Sequence, residues 1–389
     1  MTLYGVGLGP GDAELCTIRG RRVLETADVV YTPGRLSRSV ATEYVDEARI
    51  GDLDLPMTRD EDELRRAWRE AAAEIAPRAR DGTAAFVTLG DPNVYSTFGH
   101  LRRTLDAFHP EVDLDVVPGV SAVTAFTSVL GVEIAAGASL TLHEAARGSA
   151  PIGPDRMVLF KVTDVPATHE RLTEAGYDVV YGRRLYMDAG ETVVTSDPAS
   201  LDDRDYYTLA YAERGDLDDE PATATFETDT TDTAVSDAGA VTTDGGSPAQ
   251  SAESSIEATP SSAAGSPERD ANLATVERAE GEACGDAVRE IDAEAAQRAT
   301  ERDPRIGEHS AGSVQQGIPF IGAGPGDPGL LTVTGKELLE EADLVVHAGS
   351  LVNSDLLTEY CADAEQVSSI GKDLEELVPL MRDSYEDGR

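Results

Sequence analysis

Residues 3–36 read LYGVGLGPGDAELCTIRGRRVLETADVVYTPGRL, and residues 319–351 read PFIGAGPGDPGLLTVTGKELLEEADLVVHAGSL. The two align without a gap at a constant offset of 315: Pro10 on Pro325, Asp12 on Asp327, Thr17 on Thr332, Gly20 on Gly335, Asp28 on Asp343 and Leu36 on Leu351. Each copy sets a short apolar run before a glycine-rich turn, then an amphipathic stretch, then a second apolar run. That order is the start of a strand–helix–strand unit in a parallel sheet. The chain therefore contains two related α/β units.

Working outward from the first copy, strands are expected at 3–8, from 28, at 83–89 and at 112–117. Helices are expected over 13–26, 60–80, from 93 to about 105, and over 119–130. Leu64, Trp68, Ala71, Ala72 and Ile75 lie on one helical face, and Pro77 is expected to kink or shorten that helix. Strands at 140–142, 157–162, 179–181, 192–195 and 206–211 then suggest a second small α/β domain. The expected organisation is an N-terminal domain over 1–117 and a C-terminal one over 118–213. An acidic linker follows over 214–317, and an incomplete second copy over 318–389. The linker carries Phe226 as its only aromatic and has no apolar period, so it cannot offset its ordering entropy and is expected to be disordered.

The 389 residues hold 73 Asp and Glu against 32 Lys and Arg, a formal net charge of −41. Residues 215–317 account for −17 of this, so the ordered remainder still carries −24. Only Lys161, Lys336 and Lys372 are lysines. Such a field repels nucleic acid and anionic lipid, and it reads as adaptation to molar salt. No apolar run is long enough to span a bilayer, and the N-terminus lacks the basic and apolar regions of a secretory signal. Cys16, Cys284 and Cys361 match no zinc or redox spacing. A cytoplasmic protein without a disulfide framework, a protein-bound metal, a nucleic-acid partner or a membrane anchor is expected.

Gly7-Leu8-Gly9-Pro10-Gly11-Asp12 invites a dinucleotide-binding reading, but Asp12 stands where that motif wants its third glycine. A carboxylate there would also repel a pyrophosphate at the helix N-terminus. Two further turns follow expected strands: 88–95 (TLGDPNVY) and 117–122 (VPGVSA). Loops at the carboxyl ends of parallel strands share one edge, so the three are expected to surround one ligand.

These marks together (VGLGPGD, ADVVYTP, GDPNVYST and VPGVSAVTAFTSVLGV) resemble the tetrapyrrole methylase family. Its members are S-adenosylmethionine-dependent methyltransferases of sirohaem and cobalamin synthesis. The resemblance implies the two-domain, class III methyltransferase fold, with methyl donor and tetrapyrrole in the cleft between domains. LPMTRDEDELRRAW with TLGDPNVYSTFGHLRR looks most like the enzymes methylating carbon 20 of precorrin-2 or cobalt-factor II. The second copy looks like the start of those methylating carbon 11 of precorrin-4. By position, the resemblance assigns donor contacts to Pro10, Leu89, Gly90, Asp91, Val94, Ser121, Ala122 and Phe160, with Leu89 and Phe160 departing from the usual glycine and methionine. It also implies a homodimer and leaves room for other cobalamin-pathway enzymes as partners.

A sulfonium methyl is already activated, so alignment and water exclusion should supply most of the acceleration. Asp91 and Tyr95 are the nearest polar candidates for catalysis, with Asp91 better suited to a structural cap. A polycarboxylate substrate entering so acidic a protein needs local arginines; Arg35, Arg38 and Arg59 lie at the ligand-facing edge and are the substrate-binding candidates. His100 and His143 read as satisfied or exposed histidines rather than ligands for a substrate metal. Uroporphyrinogen-III or precorrin-4 methylation, and a scaffold recruiting a second pathway enzyme through the second copy, are the alternatives. The diphthine synthases and ribosomal-RNA methyltransferases of the same fold fit the motifs and the acidity less well.

With −24 outside residues 215–317, dilute buffer should leave self-repulsion unscreened. The thermal midpoint is expected to rise steeply between low and molar potassium chloride; a flat midpoint in calorimetry would refute salt adaptation.

Overall fold

Why the first unit takes its shape follows from strands whose alternate side chains face two separate cores. In the computed structural model, which describes residues 2–53, 55–56, 58, 60–135, 137–145, 148–187, 190–201, 205–215 and 317–386, five strands form a parallel sheet. These are β1 (Thr2–Gly7), β2 (Val29–Thr32), β3 (Ile50–Asp52), β4 (Thr83–Thr88) and β5 (Asp113–Val117), in the order β3-β2-β4-β1-β5. On one face Leu3, Tyr31, Ala84 and Phe86 pack against α3 (Glu61–Asp81) and α4 (Phe98–Phe108). On the other, Val6, Val30, Ala85 and Val87 pack against α1 (Ile18–Thr26) and α2 (Arg35–Thr42). Helices on both faces of a parallel sheet make the three-layer α/β arrangement the sequence indicates.

Local chemistry sets the helix ends. The Asp60 carboxylate accepts from the Asp62 and Glu63 amides and starts α3. Pro77 does not shorten that helix, which runs on to Asp81; the carbonyl it leaves unpaired, at Ala73, lies on the exposed side. The helix expected from residue 13 begins five residues later. Ala13–Leu15 forms a single 3-10 turn, and the Thr17 side chain accepts from the Gly20 amide to start α1.

The second sheet holds β6 (Thr141–Glu144), β7 (Arg156–Phe160), β8 (Tyr177–Arg183), β9 (Val193–Thr195) and β10 (Thr208–Arg214), in the order β6-β7-β10-β8-β9. Only β6 and β7 run parallel in this sheet, so the parallel arrangement is a property of the first sheet and not of the second. One face packs on α6 (Val165–Glu174); the other receives Phe126 of α5 (Ala122–Leu130) among Val158, Phe160, Leu185 and Tyr211.

Almost all of the segment expected to be a linker lies outside the described residues, as does Arg59. From residue 317 the repeat reappears as α7 (Val333–Glu341), β11 (Leu344–His347), α8 (Ser354–Tyr360), β12 (Glu365–Ser368) and α9 (Leu374–Glu386). β11 and β12 pair in parallel as β2 and β3 do, 315 residues earlier. The counterpart of β1 forms no strand, and Phe320 within it is 90% exposed. Among the described residues, no helix is long and apolar enough to cross a membrane.

The far end of the Phe98 ring (Cζ, Cε1 and Cε2) occupies the space a side chain on Gly5, in the middle of β1, would need. Phe98 is fully buried and packs against Phe86 at 6.0 Å between centroids. Phe98→Ala is expected to cost about 3–5 kcal/mol by urea unfolding, and Gly5→Val to prevent folding because no rotamer clears the ring.

Candidate active site

Strands β4, β1 and β5 are neighbours, so the turns that follow them meet at one edge of the sheet. They meet backbone to backbone. The Gly90 amide donates to the Gly9 carbonyl and the Leu8 amide to the Thr88 carbonyl, the latter at 2.9 Å. An added Cβ on Gly7 would fall 2.6 Å from both the Gly90 oxygen and the Gly119 nitrogen. No side chain fits at that junction, which is why small residues recur in all three turns.

Asp91 ties the second and third turns together. Its two carboxylate oxygens accept separately from the Asn93 amide at 2.8 Å and the Gly119 amide at 3.2 Å. The expected structural role is thus a brace between turns rather than a cap on the next helix. Ser121 caps α5 by accepting from Val123, and the Thr17 hydroxyl reaches the Pro118 carbonyl at 3.4 Å.

The second sheet supplies the facing wall. Val94 and Ala122 pack with Phe160 in one apolar cluster, so three of the expected donor contacts from three separate segments are brought together. Pro10 and Gly90 are buried in their turns, and Leu89 packs back onto the first sheet. Tyr95 spans the cleft: its ring lies 4.7 Å from that of Phe160 and its hydroxyl donates to the Leu142 carbonyl at 3.0 Å. Gly90 itself faces open space, since an added Cβ would meet only the Ala122 nitrogen, at 3.8 Å.

Among the described residues, Tyr95 (49°), Lys161 (55°), Arg184 (52°) and Tyr186 (57°) are non-glycine residues with positive φ. Tyr95 and Tyr186 lie in the apolar cluster or against the first turn, where such strain can serve a ligand site. The Tyr186 carbonyl stands where a side chain on Gly11 would go, 2.7 Å away, and closes the first turn from the second sheet. Burial, followed by the Asp12 carboxylate, holds the Tyr186 hydroxyl above the usual phenol range. Tyr186 and Lys161 are missed by sequence reasoning because nothing in their neighbours announces left-handed backbone.

The arginine candidates separate. One guanidinium nitrogen of Arg38, Nη1, donates to both oxygens of Asp52 at 2.9 and 2.8 Å, and Asp52 also accepts from Thr32. Arg35, in the first turn of α2, is exposed and pairs with no carboxylate among the described residues; its charge acts on Tyr207, whose hydroxyl is raised chiefly by burial. His100 stacks on Trp68 at 5.7 Å, and His143 lies 3.4 Å from Ser149.

These features define an α/β protein with close-packed turns gathered at the carboxyl edge of a parallel sheet. The helix after the first turn begins late and is capped by its own Thr17, which removes the phosphate-binding geometry of a dinucleotide fold. The chain belongs to the tetrapyrrole (corrin/porphyrin) methylases, whose family model matches residues 2–202 and 317–389. It is 33% identical over 141 residues to a probable cobalt-precorrin-2 C(20)-methyltransferase of Methanocaldococcus jannaschii, covering 35% of this chain and 60% of the relative's length. It is 32% identical over 174 residues to the cobalt-precorrin-2 C(20)-methyltransferase of Salmonella typhimurium, covering 41% of this chain and 72% of that protein. The second repeat matches a cobalt-precorrin-4 C(11)-methyltransferase of M. jannaschii at 45% identity over 72 residues, 18% of this chain and 28% of the relative.

If Asp91 is a brace, Asp91→Asn keeps an acceptor for one amide and should hold turnover within about tenfold, short of the 10²–10⁴ that loss of a general base costs. Asp91→Ala, which frees both amides, is expected to lower thermal stability as well as activity.

Proposed function

We propose that the chain transfers a methyl group from S-adenosylmethionine to carbon 20 of a precorrin-2-level tetrapyrrole. The observation that carries this reading is the cradle at Gly90. Backbone groups of three turns converge there, space is open beside Gly90, and Val94, Ala122 and Phe160 supply an apolar wall. These residues fit a donor held by backbone groups and apolar contact; Pro10, Leu89, Gly90, Asp91, Val94, Ser121, Ala122 and Phe160 would hold it. Its sulfonium methyl is an activated electrophile when bound. The similarity to the two carbon-20 enzymes supports the choice of carbon.

What the chain's own residues contribute is position and dryness. The Tyr95–Phe160 contact shields the apolar wall from water, and the interlocked turns keep the backbone groups pre-organised. Arg35, which pairs with no carboxylate among the described residues, would offer its guanidinium to a substrate carboxylate, whereas Arg38 would first have to leave Asp52. Each oxygen of Asp91 already accepts an amide hydrogen bond, which supports a bracing role over that of a general base.

Incubating the purified chain with methyl-labelled S-adenosylmethionine and precorrin-2, metal-free in one arm and cobalt-loaded in the other, should label carbon 20 in at least one arm. Absence of transfer in both would remove the reading. Gly90→Leu should abolish donor binding in calorimetry while the chain stays folded. Arg35→Ala should raise the tetrapyrrole KM and leave the donor Kd unchanged, with Arg38→Ala the milder of the two arginine variants.

A further inference from the structure

The two repeats touch each other, and they do so through equivalent residues. Thr17 and Thr332, related by the repeat offset, face one another in an isolated antiparallel bridge. The Ile18 amide donates to the Leu331 carbonyl at 2.9 Å, and the Val333 amide to the Cys16 carbonyl at 2.9 Å. Ile18 and Val333 are equivalent, as are Cys16 and Leu331, so exchanging the repeats reproduces the same two bonds. Thr17 and Thr332 each also cap their own helix, through the Gly20 and Gly335 amides at 3.1 and 3.0 Å. A contact in which residue i meets j and the equivalent of j meets the equivalent of i is isologous, the signature of a two-fold subunit interface.

The contact is also well buried. Cys16 and Leu331 are inaccessible, and Ile18 packs into the second repeat's core. Away from the axis the symmetry breaks. On one side Arg19 pairs with Asp327; on the other the equivalent of Arg19 is Thr334, which donates to the Glu14 carbonyl at 3.1 Å. The equivalent of Asp327 is Asp12, and both carboxylates cap the residue two places on. The first unit thus carries both halves of the ion pair, Asp12 and Arg19, while the second repeat carries only Asp327.

We infer that the surface formed by residues 12–19 is a self-complementary docking face for a second copy of the first unit, and that residues 317–386 occupy it in cis. Two first units face to face would make two Arg19–Asp12 pairs; the intramolecular contact makes one. The covalent connection nonetheless favours the second repeat, because it turns association into an intramolecular event. The second repeat therefore acts as a built-in partner that stops this face from joining two chains.

The test uses the full chain with Cys284→Ser, Cys16→Ala and Cys361→Ala, because vacating the face or unfolding the second repeat would expose the two cysteines now buried. Opposed residues of an antiparallel bridge suit a disulfide. Thr17→Cys with Thr332→Cys should oxidise to a link that keeps one-chain mass on a non-reducing gel, and peptide mass spectrometry should join the two positions. Thr17→Cys alone should give no covalent dimer. Adding Asp327→Arg, which sets two arginines face to face, or Leu331→Asp in the buried contact, should vacate the face and convert most of the Thr17→Cys chain to covalent dimer. Unfolding of the second repeat by either change has the same expected outcome, since it too vacates the face. Covalent dimer from Thr17→Cys alone, a 17–332 link between different chains, or no dimer after both displacing changes would each overturn the inference.

Discussion

Everything at the site depends on three backbones approaching more closely than any side chain allows. Gly7, Gly90 and Gly119 meet at the carboxyl ends of β1, β4 and β5, and a Cβ on Gly7 or Gly119 would stand inside a neighbour's backbone. The constraint is steric before it is chemical. It brings amides and carbonyls of separate turns into hydrogen-bonding distance, and it leaves the Gly90 side open for a ligand. Asp91 then secures the arrangement with one carboxylate oxygen per turn.

A close-packed edge still needs a facing wall, and the second sheet provides it through aromatic contact. Phe126 of α5 enters the cluster around Phe160, and Tyr95 reaches from the second turn to the ring of Phe160 and the backbone of Leu142. Tyr95 and Tyr186 hold left-handed backbone to do this, at a cost of about 1–3 kcal/mol each that the surrounding packing must offset. Strain at these two residues is consistent with a cleft organised in advance of any ligand.

Charge is distributed with a similar economy. A chain of net −41 keeps its arginines near acids, and Arg38 with Asp52, Arg184 with Asp205 and Arg156 with Glu213 show how. Arg35, by contrast, is exposed and pairs with no carboxylate among the described residues.

The 315-residue repeat, the glycine turns and the two-faced apolar alternation of β1 and β4 were legible in the sequence, because periodicity and steric exclusion are properties of neighbouring residues. So was the gathering of the three turns at one edge, which the strand order β4-β1-β5 bears out. The pairing of Arg38 with Asp52 was not, because it depends on where β3 lies beside β2. Nor was the left-handed backbone of Tyr186, which only its packing over Gly11 enforces. The clearest division lies in the repeats themselves. LYGVG and its counterpart IPFIG lead into the same glycine turn, yet residues 2–7 form a strand and their counterparts do not. A strand's backbone groups are satisfied by its neighbours: β1 lies between β4 and β5, and among the described residues no strand flanks the second copy. Sequence determined what each segment could become, and tertiary contact decided which segments had the partners to become it.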